Sequence, residues 1–190
     1  MRKNILAALL MLSVFNAHAY GWTGNLNVFI GQKTLNEDDS EPLDEQTQFG
    51  LLLDFKKENW PVSLAIDYLS SKDDVTEFDQ LSALNWTFEL STTELDVGLR
   101  KIFDGTGSQI KPYVGGGAAY ISAESEITNG FWTESWDDNG IGFWLNGGVY
   151  WTLGQGFNIG VDLRYSSADV GEEDADAGGT HVGLLLGFHW

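Results

Sequence analysis

Three histidines, His18, His181 and His189, and no cysteine stand in this 190-residue chain, so few side chains can serve as a general base or a soft metal ligand. A serine nucleophile needs a general base within hydrogen-bond reach, most often a histidine. His181 is followed by Val182-Gly183 and His189 by Trp190, and neither has a serine two residues on. Ser166-Ser167 lies beside Asp169 but has no histidine near it in sequence. No catalytic or cofactor-binding residue is therefore assigned, and the expectation is a protein that is not an enzyme. What the chain has in quantity is carboxylate: 28 Asp and Glu against 10 Lys and Arg, a formal net charge of −18. That sign excludes nucleic acid as a partner. Clustered carboxylates repel one another and attract hard divalent cations, and Asp38 with Asp39, Asp137 with Asp138, and Glu172 to Asp176 are the candidates. Asp174-Ala175-Asp176-Ala177-Gly178 holds only part of a calcium-loop pattern, so no metal site is assigned. A solvated acidic face is the plainer expectation.

The elements that must carry these charges are legible in the alternation of apolar residues. Val182, Leu184, Leu186, Phe188 and Trp190 alternate with His181, Gly183, Leu185, Gly187 and His189, a period of two that marks a strand. The same dyad recurs over seven upstream segments, at about 24–34, 46–56, 61–71, 92–103, 111–122, 141–153 and 157–167. Each holds about ten residues, enough for a tilted strand to cross a bilayer. Mean hydropathy is only −0.16, which argues against membrane helices but not against a barrel, where only alternate residues meet lipid. In the segment at 111–122 glycines blur the phase, and Val114, Gly116, Ala118 and Tyr120 are expected outward.

The N-terminus fits a secreted chain. Met1-Arg2-Lys3-Asn4 precedes an apolar run from Ile5 to Phe15, and Ala17-His18-Ala19 supplies a small-x-small cleavage pattern. This reads as a signal peptide over residues 1–19, with one barrel domain over 20–190. Loss of Arg2 and Lys3 would leave the mature chain still more acidic.

Connections alternate in length. Residues 57–60, 104–109 and 154–156 are short turns, while 35–45, 72–90, 123–140 and 168–179 are long and acidic, with Lys72 their only base. Short turns at one end and long loops at the other are the habit of outer-membrane barrels. Aromatic residues fall into two belts, as interfacial girdles do. Phe55, Trp60, Phe103, Tyr113, Trp151, Phe157, Phe188 and Trp190 belong at the short-turn end, and Tyr68, Tyr120, Phe143 and Tyr165 at the other. One stretch resists the scheme. Leu84, Trp86, Phe88 and Leu90 alternate in the opposite parity from Leu95, Val97 and Leu99, which a bulge or turn near Ser91–Thr93 would reconcile, or an extension of the third and fourth strands above the membrane as a hairpin. The inward parity holds Asp54, Asp67, Glu94, Asp96, Arg100, Asp162, Arg164, His181 and His189. An eight-stranded lumen is just wide enough to be filled by side chains, so these charges are expected to pair.

Two motifs give a resemblance. Lys111-Pro112-Tyr113-Val114-Gly115-Gly116-Gly117 resembles a segment recurrent in small eight-stranded outer-membrane β-barrels, the family of OmpX, OmpW and the membrane domain of OmpA. Gly187-Phe188-His189-Trp190 resembles their C-terminal strand, which the barrel-assembly machinery reads. The resemblance implies an all-β, up-and-down antiparallel barrel in the Gram-negative outer membrane, among lipids and lipopolysaccharide. It also brings the family's enzymes into view. Lipid A deacylases resembling PagL carry a His-x-Ser strand motif that is absent here, the segment 20–25 is too short for a PagP-like helix, and omptin-like proteases need ten strands. The expected role is a surface-interaction protein with acidic extracellular loops. The alternative is a narrow porin, or an OmpW-like path for small hydrophobic molecules.

Overall fold

The computed structural model describes residues 21–36, 43–79, 84–103, 105, 109–129, 131–171 and 175–190. The segment read as a signal peptide lies outside these, as do Asp38, Asp39 and residues 172–174.

The chain is built of β1 (Trp22–Leu35), β2 (Glu45–Lys57), β3 (Ser63–Asp79), β4 (Leu84–Ile102), β5 (Ile110–Thr128), β6 (Thr133–Leu153), β7 (Phe157–Ser167), the two-residue strands β8 (Asp169–Val170) and β9 (Ala175–Asp176), and β10 (Gly179–His189). Eight of them close a barrel in the order β1-β10-β7-β6-β5-β4-β3-β2, and β8 pairs with β9 apart from it. Every barrel pairing is antiparallel, and each strand neighbours the next in sequence except where β10 returns to β1. The two ends of the chain seal that seam. The Gly24 and Trp190 backbones exchange hydrogen bonds of 3.1 and 3.0 Å, and the Thr23 hydroxyl donates to the Trp190 carbonyl at 2.7 Å. Closure leaves no unpaired edge in the barrel wall, the condition for a sheet to stand in hydrocarbon.

Side-chain alternation then sorts the residues. Val28, Leu51, Ile66, Val97, Val114, Leu145, Val161 and Leu184 point outward and are 40–61 % exposed. Their neighbours Asn27, Leu52, Asp67, Asp96, Tyr113, Asn146, Asp162 and Leu185 point inward and are buried. On β5 the phase is the expected one, with Val114, Ala118 and Tyr120 outside. Tyr113 is a correction to the belt at the short-turn end. It faces the lumen, 1 % exposed, and stacks on Tyr150 with ring centres 4.4 Å apart. Inward glycines make that crowding fit: a Cβ on Gly183 would lie 2.5 Å from the Phe29 ring, and one on Gly148 would meet the Tyr113 hydroxyl.

Two of the expected long loops are largely strand. Residues 72–79 with 84–90, and 123–128 with 133–140, prolong the β3–β4 and β5–β6 pairs beyond the barrel, out to Asp79↔Leu84 and Thr128↔Thr133. β4 and β5 also remain paired up to Thr87↔Thr128, so the four strands form one sheet standing on the barrel rim, called the apron below. No bulge interrupts it, contrary to the expectation near Ser91–Thr93: the β3–β4 register is continuous from Ser63↔Arg100 to Asp79↔Leu84. The β2 pairing of β3 stops at Lys72 and the β7 pairing of β6 at Phe143, so the apron has two free edges among the described residues. Asp73, Asp74 and Glu77 lie on one and Glu134, Asp137 and Asp138 on the other, charges that discourage edge-to-edge pairing.

Candidate functional site

The lumen is filled from wall to wall with paired charge and aromatic rings. Arg164 spans the cross-strand pair Asp67↔Asp96, one guanidinium nitrogen on each carboxylate, and so neutralises two acids that would otherwise repel. Arg100 shares Asp67 at 2.6 Å and reaches Asp54 at 3.4 Å. Both guanidinium groups lie against the indole of Trp144, at 5.9 Å for Arg100 and 5.0 Å for Arg164. Asp162 accepts from the Tyr113 hydroxyl at 2.5 Å and from the Asn146 amide at 2.9 Å. Every inward charge expected from the alternation is in the lumen, with only His189 partly exposed.

The structure adds partners that a strand-by-strand reading passed over. Lys33 is fully buried and donates to Glu94 at 2.5 Å, Thr92 at 3.0 Å and the Ala177 carbonyl at 2.8 Å. It stands on the same parity as Asn25, Asn27 and Gly31, which would have found it. Trp144, the largest buried side chain, likewise follows from the parity of Asn146 and Tyr150. A serine–histidine pair is a second correction. Pairing of β7 with β10 sets Arg164 opposite His181 and brings the Ser166 hydroxyl to 3.0 Å from His181 Nε2, while His181 Nδ1 lies 2.8 Å from Gln48 Oε1. That ordering is the geometry of an activated hydroxyl, but Ser166 and His181 are both 0 % exposed and face the lumen, away from lipid and solvent.

The lumen is closed toward the apron by the segment between β7 and β10. Ala168, Val170 and Ala177 pack on Ile121, Ala119 and Trp144. Gly140 and Gly142 permit this close approach, since a Cβ on either would strike the backbone of Asp169 or Ser167. Asp176 pins the segment, accepting from the backbone of Gly178 at 2.8 Å and Ala168 at 3.0 Å, from Asn36 at 2.8 Å and from Ser167 at 3.0 Å. At the short-turn end a cavity of about 190 Å³ enters between Thr23, Lys56, Ser63, Lys111 and His189.

In the apron the two faces exchange character. The outward row Tyr68–Leu95–Tyr120–Ile141 is the last that is apolar on all four strands, and Phe78 alone returns an apolar side chain to that face near the tip. Beyond that row come Ser70–Thr93–Ser122–Asn139, then Lys72–Ser91–Glu124–Asp137, Asp74–Glu89–Glu126–Ser135 and Thr76–Thr87–Thr128–Thr133. Lys72 pairs with Glu89 at 2.6 Å, and threonine hydroxyls join at 2.9 Å across Thr76–Thr87 and 3.0 Å across Thr128–Thr133. The inner face reverses from polar to apolar over the same level, so Leu90, Phe88 and Trp86 continue the row that carries Thr92, Glu94 and Asp96 below. This is the physical reason for the parity conflict. The strand does not shift; the solvent on its outer side changes from lipid to water. Asp137 and Asp138, adjacent on β6, therefore point to opposite faces, and among the described residues no three acidic or histidine side chains converge on a metal position.

A family model for the outer membrane protein beta-barrel domain matches residues 5–188. The chain belongs to this outer-membrane β-barrel family. Solved structures of similar fold include Ail, the attachment invasion locus protein of Yersinia pestis, in complex with the heparin analogue sucrose octasulfate (15% identity, 89% of this chain and 99% of that one, TM-score 0.59). Another is a major outer membrane protein from Thermus thermophilus (8% identity, 90% and 100%, TM-score 0.63). No curated protein matches the chain. Membership of the outer-membrane barrel family sets the protein in the Gram-negative outer membrane, as the alternation and the belts predict.

Proposed function

We propose that this barrel is a non-enzymatic surface protein: a membrane anchor that holds an acidic four-stranded sheet outside the cell and offers it to partners there. The observation that carries the reading is the unbroken passage of β3–β6 out of the barrel, with its polarity reversed, above a lumen filled by the Arg100–Asp67–Arg164 network. The filled lumen speaks against a porin. It also speaks against passage of small hydrophobic molecules, because the two apolar clusters of the interior are separate. The buried Ser166–His181 pair touches no surface from which a lipid could approach. The heparin analogue bound by Ail is a polyanion, and Glu89, Glu124, Glu126 and Asp137 on the outer face here would repel such a ligand. Divalent cations bridging these acids to lipopolysaccharide are part of the same proposal, as are processing after Ala19 and recognition of the C-terminal strand by the assembly machinery.

The absence of native cysteine makes the test direct. Single cysteines at Thr76 and Thr128 should react with a membrane-impermeant maleimide on intact cells, and one at Gly154 only after the outer membrane is opened. The purified barrel should give no stable single-channel steps in planar bilayers. Labelling at Gly154 on intact cells, or large persistent conductance, would overturn the proposal.

A further inference from the structure

The inner face of the apron is apolar, aromatic and only partly covered. The segment held by Asp176 reaches it at Gly140, where β8 lies against β6, and Gly171 comes up to Asp138. Beyond that level Leu90 shares a row with Trp136, Phe88 shares one with Ile127, and Trp86 meets Trp132 edge to face at 6.4 Å. Trp132 and Trp136 are 48 % and 49 % exposed. Two indoles left half in water on one face of a sheet mark an interaction surface.

The charges set among these rings say what covers it. On the same face the register places Asp73 in the row of Leu90, Glu134 in the row of Phe88, and Glu77 opposite Trp86. Over residues 73–90 and 123–142 the chain has no lysine or arginine at all. Aromatic faces and carboxylates both attract cations, and together they discriminate a cationic amphiphile from a neutral or anionic one. The same charges disfavour the other occupants. The loop between β1 and β2 carries Glu37, Asp38, Asp39, Glu41, Asp44 and Glu45 and would be repelled. A second copy of a chain with net charge −18 would be repelled as well, and so would lipid phosphate.

We infer that the inner face of the apron binds a cationic amphipathic polypeptide segment of a partner outside the cell, its apolar residues on Trp86, Phe88 and Trp136 and its lysines or arginines on Glu77, Asp73 and Glu134. This rests on the apron being extracellular and names the class of partner it takes.

The test uses the full barrel in zwitterionic nanodiscs and fluorescence anisotropy of three short labelled peptides at physiological ionic strength: lysine alternating with leucine, lysine alternating with serine, and glutamate alternating with leucine. The first should bind roughly tenfold more tightly than either of the others, over empty nanodiscs. Trp136→Ala with Glu134→Gln should weaken it by about tenfold, whereas Glu124→Gln with Asp137→Asn on the outer face should leave it within about twofold. Heat-modifiable migration checks that each variant is folded. The inference is overturned if the lysine–serine peptide binds equally or the outer-face variant loses as much, because the attraction is then the general field of the acids. It is overturned if the glutamate–leucine peptide binds equally, if none binds, or if binding appears only after residues 37–42 are removed. In each case the surface labelling described above still decides separately whether the apron is exterior.

Discussion

Lys33 in the first strand donates its ammonium proton to the backbone carbonyl of Ala177, 144 residues further along the chain. The bond ties the barrel wall to the segment that covers the lumen, and the same ammonium neutralises Glu94. Lys33→Met should therefore do two things. It leaves Glu94 buried without its partner, a loss of about 3–5 kcal/mol by the usual cost of an orphaned buried charge. It also releases Ala177, so proteolysis between β7 and β10 should accelerate. Replacing Lys33 and Glu94 together by Met and Leu should recover most of the stability, read as the temperature of the heat-modifiable gel shift, without restoring the protease resistance.

Asp176 gives the same segment a dependence on pH. Burial pushes its carboxyl up, but the N–H groups of Gly178 and Ala168 and the side chains of Asn36 and Ser167 outweigh that and hold it below its ordinary 3.8. A depressed native pKa contributes stability that is complete above the unfolded value and fades as pH falls through the native one. Amide exchange at Ala168 and Gly178 should thus stay slow from neutrality down to about pH 4 and quicken only below it. Asp176→Ala should exchange quickly at every pH. Identical profiles for the two proteins would show that the carboxylate does not hold the segment.

The level at which outward residues turn polar predicts where lipid ends. Arginine at Val97 should destabilise the barrel by about 2–4 kcal/mol, the cost of a cation near the bilayer midplane. At Thr87, ten residues nearer the tip on the same strand and the same face, it should change stability by less than about 0.5 kcal/mol. Equal penalties would mean that the membrane boundary does not lie between Leu95 and Thr93.

The outer face of the apron sets acid against acid, Glu89 opposite Glu126 and Glu124 opposite Asp137. Like charges directly opposite weaken a strand pair, and salt screens them over about 8 Å at physiological strength. Raising sodium chloride from low strength should slow amide exchange in the apron hairpins and leave the barrel unchanged. Calcium at equal ionic strength separates screening from bridging: protection beyond that of sodium supports cation bridging, and equal protection removes it.

The alternation made the barrel legible because the membrane imposes one rule on every strand, and lumen charges such as Asp67, Arg100 and Arg164 stood out as polar residues on a repeated parity. The apron was legible only in part: an extended hairpin of β3 and β4 was one reading of the Leu84–Leu90 alternation, and the matching extension of β5 and β6 was not seen. Its strands obey the period of two, but with the opposite face apolar, so Trp86 and Phe88 looked out of step and the acidic sequence around them looked like loop. Tyr113 was misplaced because a tyrosine near a strand end suits a girdle and a lumen equally well. The pairing of Ser166 with His181 depends on how β10 registers against β7, which neither segment states alone.

The unbroken register of the apron limits how this protein can change its reach. One residue added to a single strand below the tip would carry Trp86 or Trp136 to the wet side and acids to the sheltered one. Two residues in each arm of a hairpin would keep both faces and raise the tip by about 6–7 Å. Height above the barrel rim is thus quantised, and a longer or shorter relative of this sheet can be built only in whole steps of the pleat.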